Sequence, residues 1–133
     1  MTMSRENIAK KILIDEDALF ERLVEQARRI FKLDKSGNMV WIISRDKLTD
    51  REKIALVLLA QHLAAEIGIK DSQSISNSEV AEKLKMSSMS VGARMAELRE
   101  LGVAHQEKVG VHRVILPGME SIIEDVISKF ESD

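Results

Sequence analysis

The chain contains no cysteine and a single proline, and aromatic residues make up only 3% of it. Without thiols, neither a disulfide framework nor a thiolate metal site can be built. Nor is there an apolar run long enough for a signal peptide or a membrane span, because the most apolar stretch, residues 54–67, is interrupted by Gln61, His62 and Glu66. A cytoplasmic protein without a membrane partner is therefore expected. Nothing resembles a Gly-rich loop that cradles phosphate, and Asp34-Lys-Ser-Gly-Asn38 carries too few oxygen ligands for a calcium loop. The serines near Glu79 have no histidine at a motif spacing, and His105 and His112 lack a carboxylate or thiolate to complete a metal site. The expectation is a non-enzymatic protein with no catalytic residue, metal or cofactor.

What remains is ordinary in amount and informative in arrangement. The 133 residues are 44% hydrophobic and 32% charged, enough for one domain with a single core. The formal charge is −2, but it is unevenly spread. Residues 118–133 hold one base, Lys129, against Glu120, Glu124, Asp125, Glu131 and Asp133, which leaves the first 117 residues at +2. The acidity belongs to the C-terminal segment.

Over residues 5–30, Ile8, Ile12, Leu19, Phe20, Leu23, Val24, Ala27 and Ile30 recur at three- and four-residue steps, an apolar stripe at helical period. Asp15, Glu16 and Asp17 fall where a second helix would begin, and carboxylates there are favoured by the unsatisfied amides of a helix N-terminus. Met39-Val-Trp-Ile-Ile43 suits a strand, paired with residues around Phe31 through the polar turn Asp34-Lys-Ser-Gly37. Five consecutive apolar residues imply cover on both faces, supplied by this chain or by a second subunit. Residues 1–47 are thus read as a helical arm with a strand or hairpin. This arm either packs back on the rest of the chain or forms a homodimer through Leu19, Phe20, Leu23, Val24 and Trp41.

Residues 48–133 read as one compact unit. Thr49-Asp-Arg-Glu52 has the capping-box pattern, in which Thr and Glu side chains satisfy each other's backbone amides. It opens a helix to about Gly68 that is apolar around most of its circumference and so belongs at the centre, with His62 as a packing residue. Ile75 fits a short strand. Ser76-Asn-Ser-Glu79 starts a short helix carrying Val80, Ala81 and Leu84 on one face. After a turn at Lys85-Met86, Ser87 or Ser88 caps a longer helix with Val91, Met95, Leu98 and Leu101 inward, and Gly102 stops it. Two short β-prone runs then flank Lys108-Val-Gly110, where Gly110 suits the left-handed position of a hairpin loop. Pro117-Gly118 ends the hairpin, and Met119, Ile122, Ile123, Val126, Ile127 and Phe130 form a last amphipathic helix.

With these residues in view, the segment 48–117 resembles the winged helix–turn–helix domain of small prokaryotic transcription regulators. Residues 48–60, LTDREKIALVLLA, are similar to that family's LTxxExxxLxxLA-like helix, and residues 88–103, SMSVGARMAELRELGV, to its SxxTVxxRLxxLxxxGLV-like recognition helix. The likeness covers about half of the chain. It implies a mainly α fold with a short β-hairpin, in which the helix 88–101 docks in a major groove of double-stranded DNA and the wing around Gly110 contacts the backbone.

The site residues expected from this are Lys83, Lys85, Ser88, Met89, Ser90, Arg94, Arg99, Lys108, His112 and Arg113. Residues 74–117 carry six cations against five carboxylates, a thin electrostatic footprint that a dimer would double. The outward centre of the recognition helix is bare, with Met89, Gly92, Ala93 and Ala96 in place of the Arg, Lys, Asn or Gln that read base edges. Such a face also suits a protein partner packed against the helix, the alternative reading of the same segment.

Overall fold

The computed structural model of the protein describes residues 2–131. Asp133, counted above in the acidic segment, lies outside the described residues. The chain opens with α1 (Arg5–Ile12), capped by Ser4, and α2 (Glu16–Ala27), capped by Asp15, whose carboxylate accepts from the Ala18 N–H at 3.1 Å. The acidic cluster at residues 15–17 is thus a helix start.

The apolar stripe over residues 5–30 is broken near Ile14-Asp15, where a second helix start is expected, and its two parts meet different surroundings. In α2, Leu19, Leu23 and Ala27 are buried and the helix lies against α6 (Leu116–Glu131). In α1 no residue is buried, and Ile8, Ile12, Leu13 and Ile14 are all exposed.

A hairpin follows, β1 (Phe31–Leu33) with β2 (Met39–Trp41), in antiparallel register with Phe31 opposite Trp41. The Asp34 carboxylate accepts from the Ser36 and Asn38 amides, each at 2.9 Å, and so closes the turn. The expected cover on both faces is not present among the described residues. Met39, Trp41 and Ile43 pack on the core, while Val40 and Ile42 are each 52% exposed, because successive strand residues alternate and only one face meets the domain.

At the centre lies α3 (Asp50–Glu66), which carries the full capping box of Thr49 and Glu52. Seven consecutive residues, 54–60, are buried, and fully burying a Leu or Ile side chain contributes about 1.5–3 kcal/mol. This helix packs on α5 (Ser88–Glu100), on α6 and on β5 (Val111–Val114). The capping carboxylate has a second use, since buried Glu52 also accepts from Lys129 and ties the start of α3 to the end of α6.

Ile75 and Ser76 form a two-residue strand, β3 (Ile75–Ser76), immediately before α4 (Asn77–Leu84). Together with β4 (Ala104–Lys108) and β5 it makes an antiparallel three-stranded sheet in the order β3-β5-β4. Ser76 accepts from the Glu79 amide at 3.1 Å and so caps α4. Gly102 and Gly110 both adopt positive φ, at 74° and 75°, as their turn positions require.

Pro117 and Gly118 do not terminate the hairpin as expected; they lie in the first turn of α6, where proline's missing N–H costs nothing. Gly118 is there for space, because a Cβ on it would stand 2.0 Å from the carbonyl oxygen of Gly102. The architecture is therefore a mainly helical domain with a small antiparallel sheet at one side and a separate two-stranded hairpin. Among the described residues, no helix is long and apolar enough to cross a membrane.

Candidate functional site

The segment singled out in the sequence forms one connected surface built from α4, α5 and the β4–β5 hairpin. Between the helices, Lys85 adopts the left-handed conformation at φ 56°, and the Met86 amide returns to the Ala81 carbonyl at 2.9 Å, closing α4 tightly. This turn delivers Ser87 as the cap of α5, where its Oγ accepts from the Ser90 amide at 3.0 Å and donates to Ser90 Oγ at 2.9 Å. Val91, Met95 and Leu98 are buried below, so the first turn of α5 stands clear, with Ser88, Met89 and Ser90 exposed. Met89 is 86% exposed.

The bare face expected on α5 is present as a surface. Ala93 is exposed and Gly92 and Ala96 are half-buried, and a Cβ on Gly92 would meet no atom within 4 Å.

The cations fall into two groups. Arg94 is paired with Glu97 at 3.0 Å, a carboxylate that also faces Arg51 at 3.8 Å, and Arg113 donates to Glu107 across the hairpin at 2.5 Å. The charge of Arg113 is thereby offset by one carboxylate, and Arg94 shares Glu97 with Arg51. In contrast, Lys83, Lys85, Arg99 and Lys108 have no carboxylate partner among the described residues.

His112, expected among the DNA-contacting residues of the wing, is only 1% exposed. It sits at the junction of three elements. Its Nε2 lies 2.7 Å from Nη1 of Arg99 on α5, and its Nδ1 lies 3.1 Å from Oδ1 of Asn77 on α4. A guanidinium can only donate, so Nε2 must be the bare nitrogen and Nδ1 carries the proton that it gives to Asn77. The imidazole in this bridge is neutral, and burial, followed by the nearby Arg99 and His105, lowers its pKa from the ordinary 6.5. The bridge holds the Arg99 side chain in one direction.

The register sets His105 against Arg113 and His112 against Gln106. Asn77 was not among the expected residues, although the burial of His112 has a signal in the sequence: it shares a strand face with Val114 at a spacing of two. The backbone adds a further tie here, the Asn77 N–H donating to the Gly110 carbonyl at 2.8 Å.

The residues expected at a dimer interface are dispersed. Leu19 and Leu23 are covered by the chain's own core, at 2% and 0% exposure. Phe20 is half-buried beside the His62 ring, with centroids 6.0 Å apart, and Trp41 is half-buried under the Arg45 guanidinium. Of the five, only Val24 is an exposed apolar residue. His62 is a buried packing residue as expected, although its Nδ1 has no hydrogen-bond partner among the described residues; Nε2 lies 3.7 Å from Glu66.

No family model matches the chain, and neither a curated protein nor a solved structure matches it.

Proposed function

We propose that the chain is a winged-helix DNA-binding protein of the transcription-regulator kind, without catalytic chemistry, in which α5 is the recognition helix and the β4–β5 hairpin is the wing. The observation that carries this reading is the distribution of uncompensated charge. Lys83 and Lys85 lie at the end of α4 and in the turn leading to the exposed start of α5, Arg99 extends from α5, and Lys108 ends the first wing strand. Cations free of carboxylates can neutralise phosphates without first breaking an ion pair, and the amides at a helix N-terminus favour the same anions. Ser88, Met89 and Ser90 are then the side chains nearest to bases. Their size permits close backbone approach and methyl contacts, so affinity rests on phosphates and shape more than on bidentate base readout.

The test is a binding titration on duplex DNA over a range of salt. Replacing Lys83, Lys85 and Lys108 together with Ala is expected to reduce the slope of log K against log salt by about 3 units. Replacing Arg94 and Arg113, which already have partners, is expected to change it less. An unchanged slope in the lysine variant would refute the assignment.

One observation favours a second reading, a protein-interaction module: the 86% exposed Met89 beside the small residues Gly92, Ala93 and Ala96. Ala93→Arg separates the two. On a DNA face the added cation preserves or strengthens binding, whereas in a packed protein interface it abolishes association.

A further inference from the structure

α1 buries none of its residues, yet its pattern is that of a helix with a docking edge. At about 100° per residue, Ile8 and Ile12 line one edge, with Arg5 and Lys11 to either side of it and Glu6 and Lys10 behind. The edge continues into Leu13, 71% exposed.

The same chain carries a cleft of complementary character. Phe20 and Leu116 provide apolar lining, while Glu16, Asp17 and Glu21 of α2 and Glu66 of α3 supply carboxylates, in a volume of about 500 Å3. Around His62 and Leu116 it continues into a more apolar recess of about 240 Å3, reaching Ile115 and Pro117. Cations flank the apolar edge of the helix, and carboxylates line the cleft around Phe20 and Leu116, with Arg113 the one cation in the recess.

The occupant is decided by where the chain enters. Ile14 of the same chain already lines the end of the recess, and the linker backbone is extended at Leu13 and Asp15. No residue of α1 lines this cleft or its recess; Ile12 and Leu13 border only its outer end, beside Glu16 and Asp17. A chain that carries both halves of a complementary pair without joining them can satisfy both by reciprocal exchange, which closes as a two-fold dimer.

We propose that α1 of each chain docks by its Ile8–Ile12 edge into the α2–α3–α6 cleft of a second copy. This is independent of DNA, and every measurement below is made without it. The absence of cysteine makes a direct test possible. Chains carrying Ile8→Cys are mixed with chains carrying Glu21→Cys and treated with a short thiol cross-linker. The expected product is a mixed dimer, formed far more efficiently than from either variant alone. In sedimentation equilibrium at micromolar concentration the natural chain is expected to be dimeric. Ile8→Asp with Ile12→Asp should weaken association at least about a hundred-fold. Since α1 buries nothing within its own chain, the circular dichroism of that variant should show an intact remaining fold.

Three results overturn the proposal. One is a natural chain that is monomeric throughout. Another is a dimer indifferent to the Ile8/Ile12 change. The third is a double variant, Ile8→Cys with Glu21→Cys, that cross-links within single chains at low concentration, which would show α1 folded back on its own cleft.

Discussion

α1 and α2 are neighbouring helices cut from one apolar stripe, and they meet opposite environments. α2 places Leu19, Leu23 and Ala27 against α6 and the core, whereas α1 leaves Ile8 and Ile12 in solvent. The periodicity that marks an amphipathic face is the same in both. What differs follows from the linker at residues 13–15, extended at Leu13 and Asp15, beyond which α1 buries no residue. A stripe therefore defines a surface that can be covered, and the backbone path decides what covers it.

That contrast can be broken from either side. The largest effect is expected in α2: Leu23→Ala removes a side chain with no exposure and should lower unfolding free energy by about 2–5 kcal/mol, measured by urea denaturation. A loss well below this would mean that α2 is not part of the core. Next comes the helix start. Asp15→Ala deletes the cap of α2 and should cost about 0.5–2 kcal/mol in the same assay. The smallest effect belongs to α1. Ile12→Ala should leave the stability of the isolated chain within about 0.5 kcal/mol, while reducing the rise of melting temperature with protein concentration that an exchanged dimer would show. A core-sized loss from Ile12→Ala would erase the distinction between the two helices.

A second contrast concerns the histidines, and it predicts a pH dependence. Burial is the main cause that lowers the pKa of both His62 and His112 below 6.5; Arg99 and His105 add to it at His112, and at His62 Arg113 lowers while Glu66 raises. Because the unfolded chain then binds more protons than the folded one below pH 6.5, their contribution is complete above that value and is lost as pH falls through it. Melting temperature should be flat on this account above about pH 7 and decline toward acid. The decline should be shallower in His112→Gln, which cannot take up that proton.

Much of this fold is written locally. Thr49 with Glu52, Ser76 and Ser87 declare helix starts by side-chain chemistry, Gly102 and Gly110 declare turns by their backbone freedom, and the continuous apolar content of residues 54–60 declares a central helix. The features missed depend on contacts between distant segments. Gly118 reads as the partner of a turn-forming proline, but its necessity comes from the Gly102 carbonyl. Glu52 reads as half of a capping box, and its ion pair with Lys129 arises only once α6 returns across α3.

The site divides in the same way. Its exposed first turn on α5 and the bare patch behind it follow from helical period alone. Which cations remain available does not, because the pairing of Arg113 depends on hairpin register and that of Arg99 on a histidine 13 residues away. Of the six cations between residues 74 and 117, four emerge without a carboxylate, and these carry the functional reading.

The most direct measurement is therefore the salt dependence of the natural chain's binding to an unrelated DNA duplex. With four free cations, log K should fall with log salt at a slope of about −3 to −4 per chain, and about twice that for a dimer. No binding at low salt, or binding with a flat slope, would contradict DNA recognition through this surface.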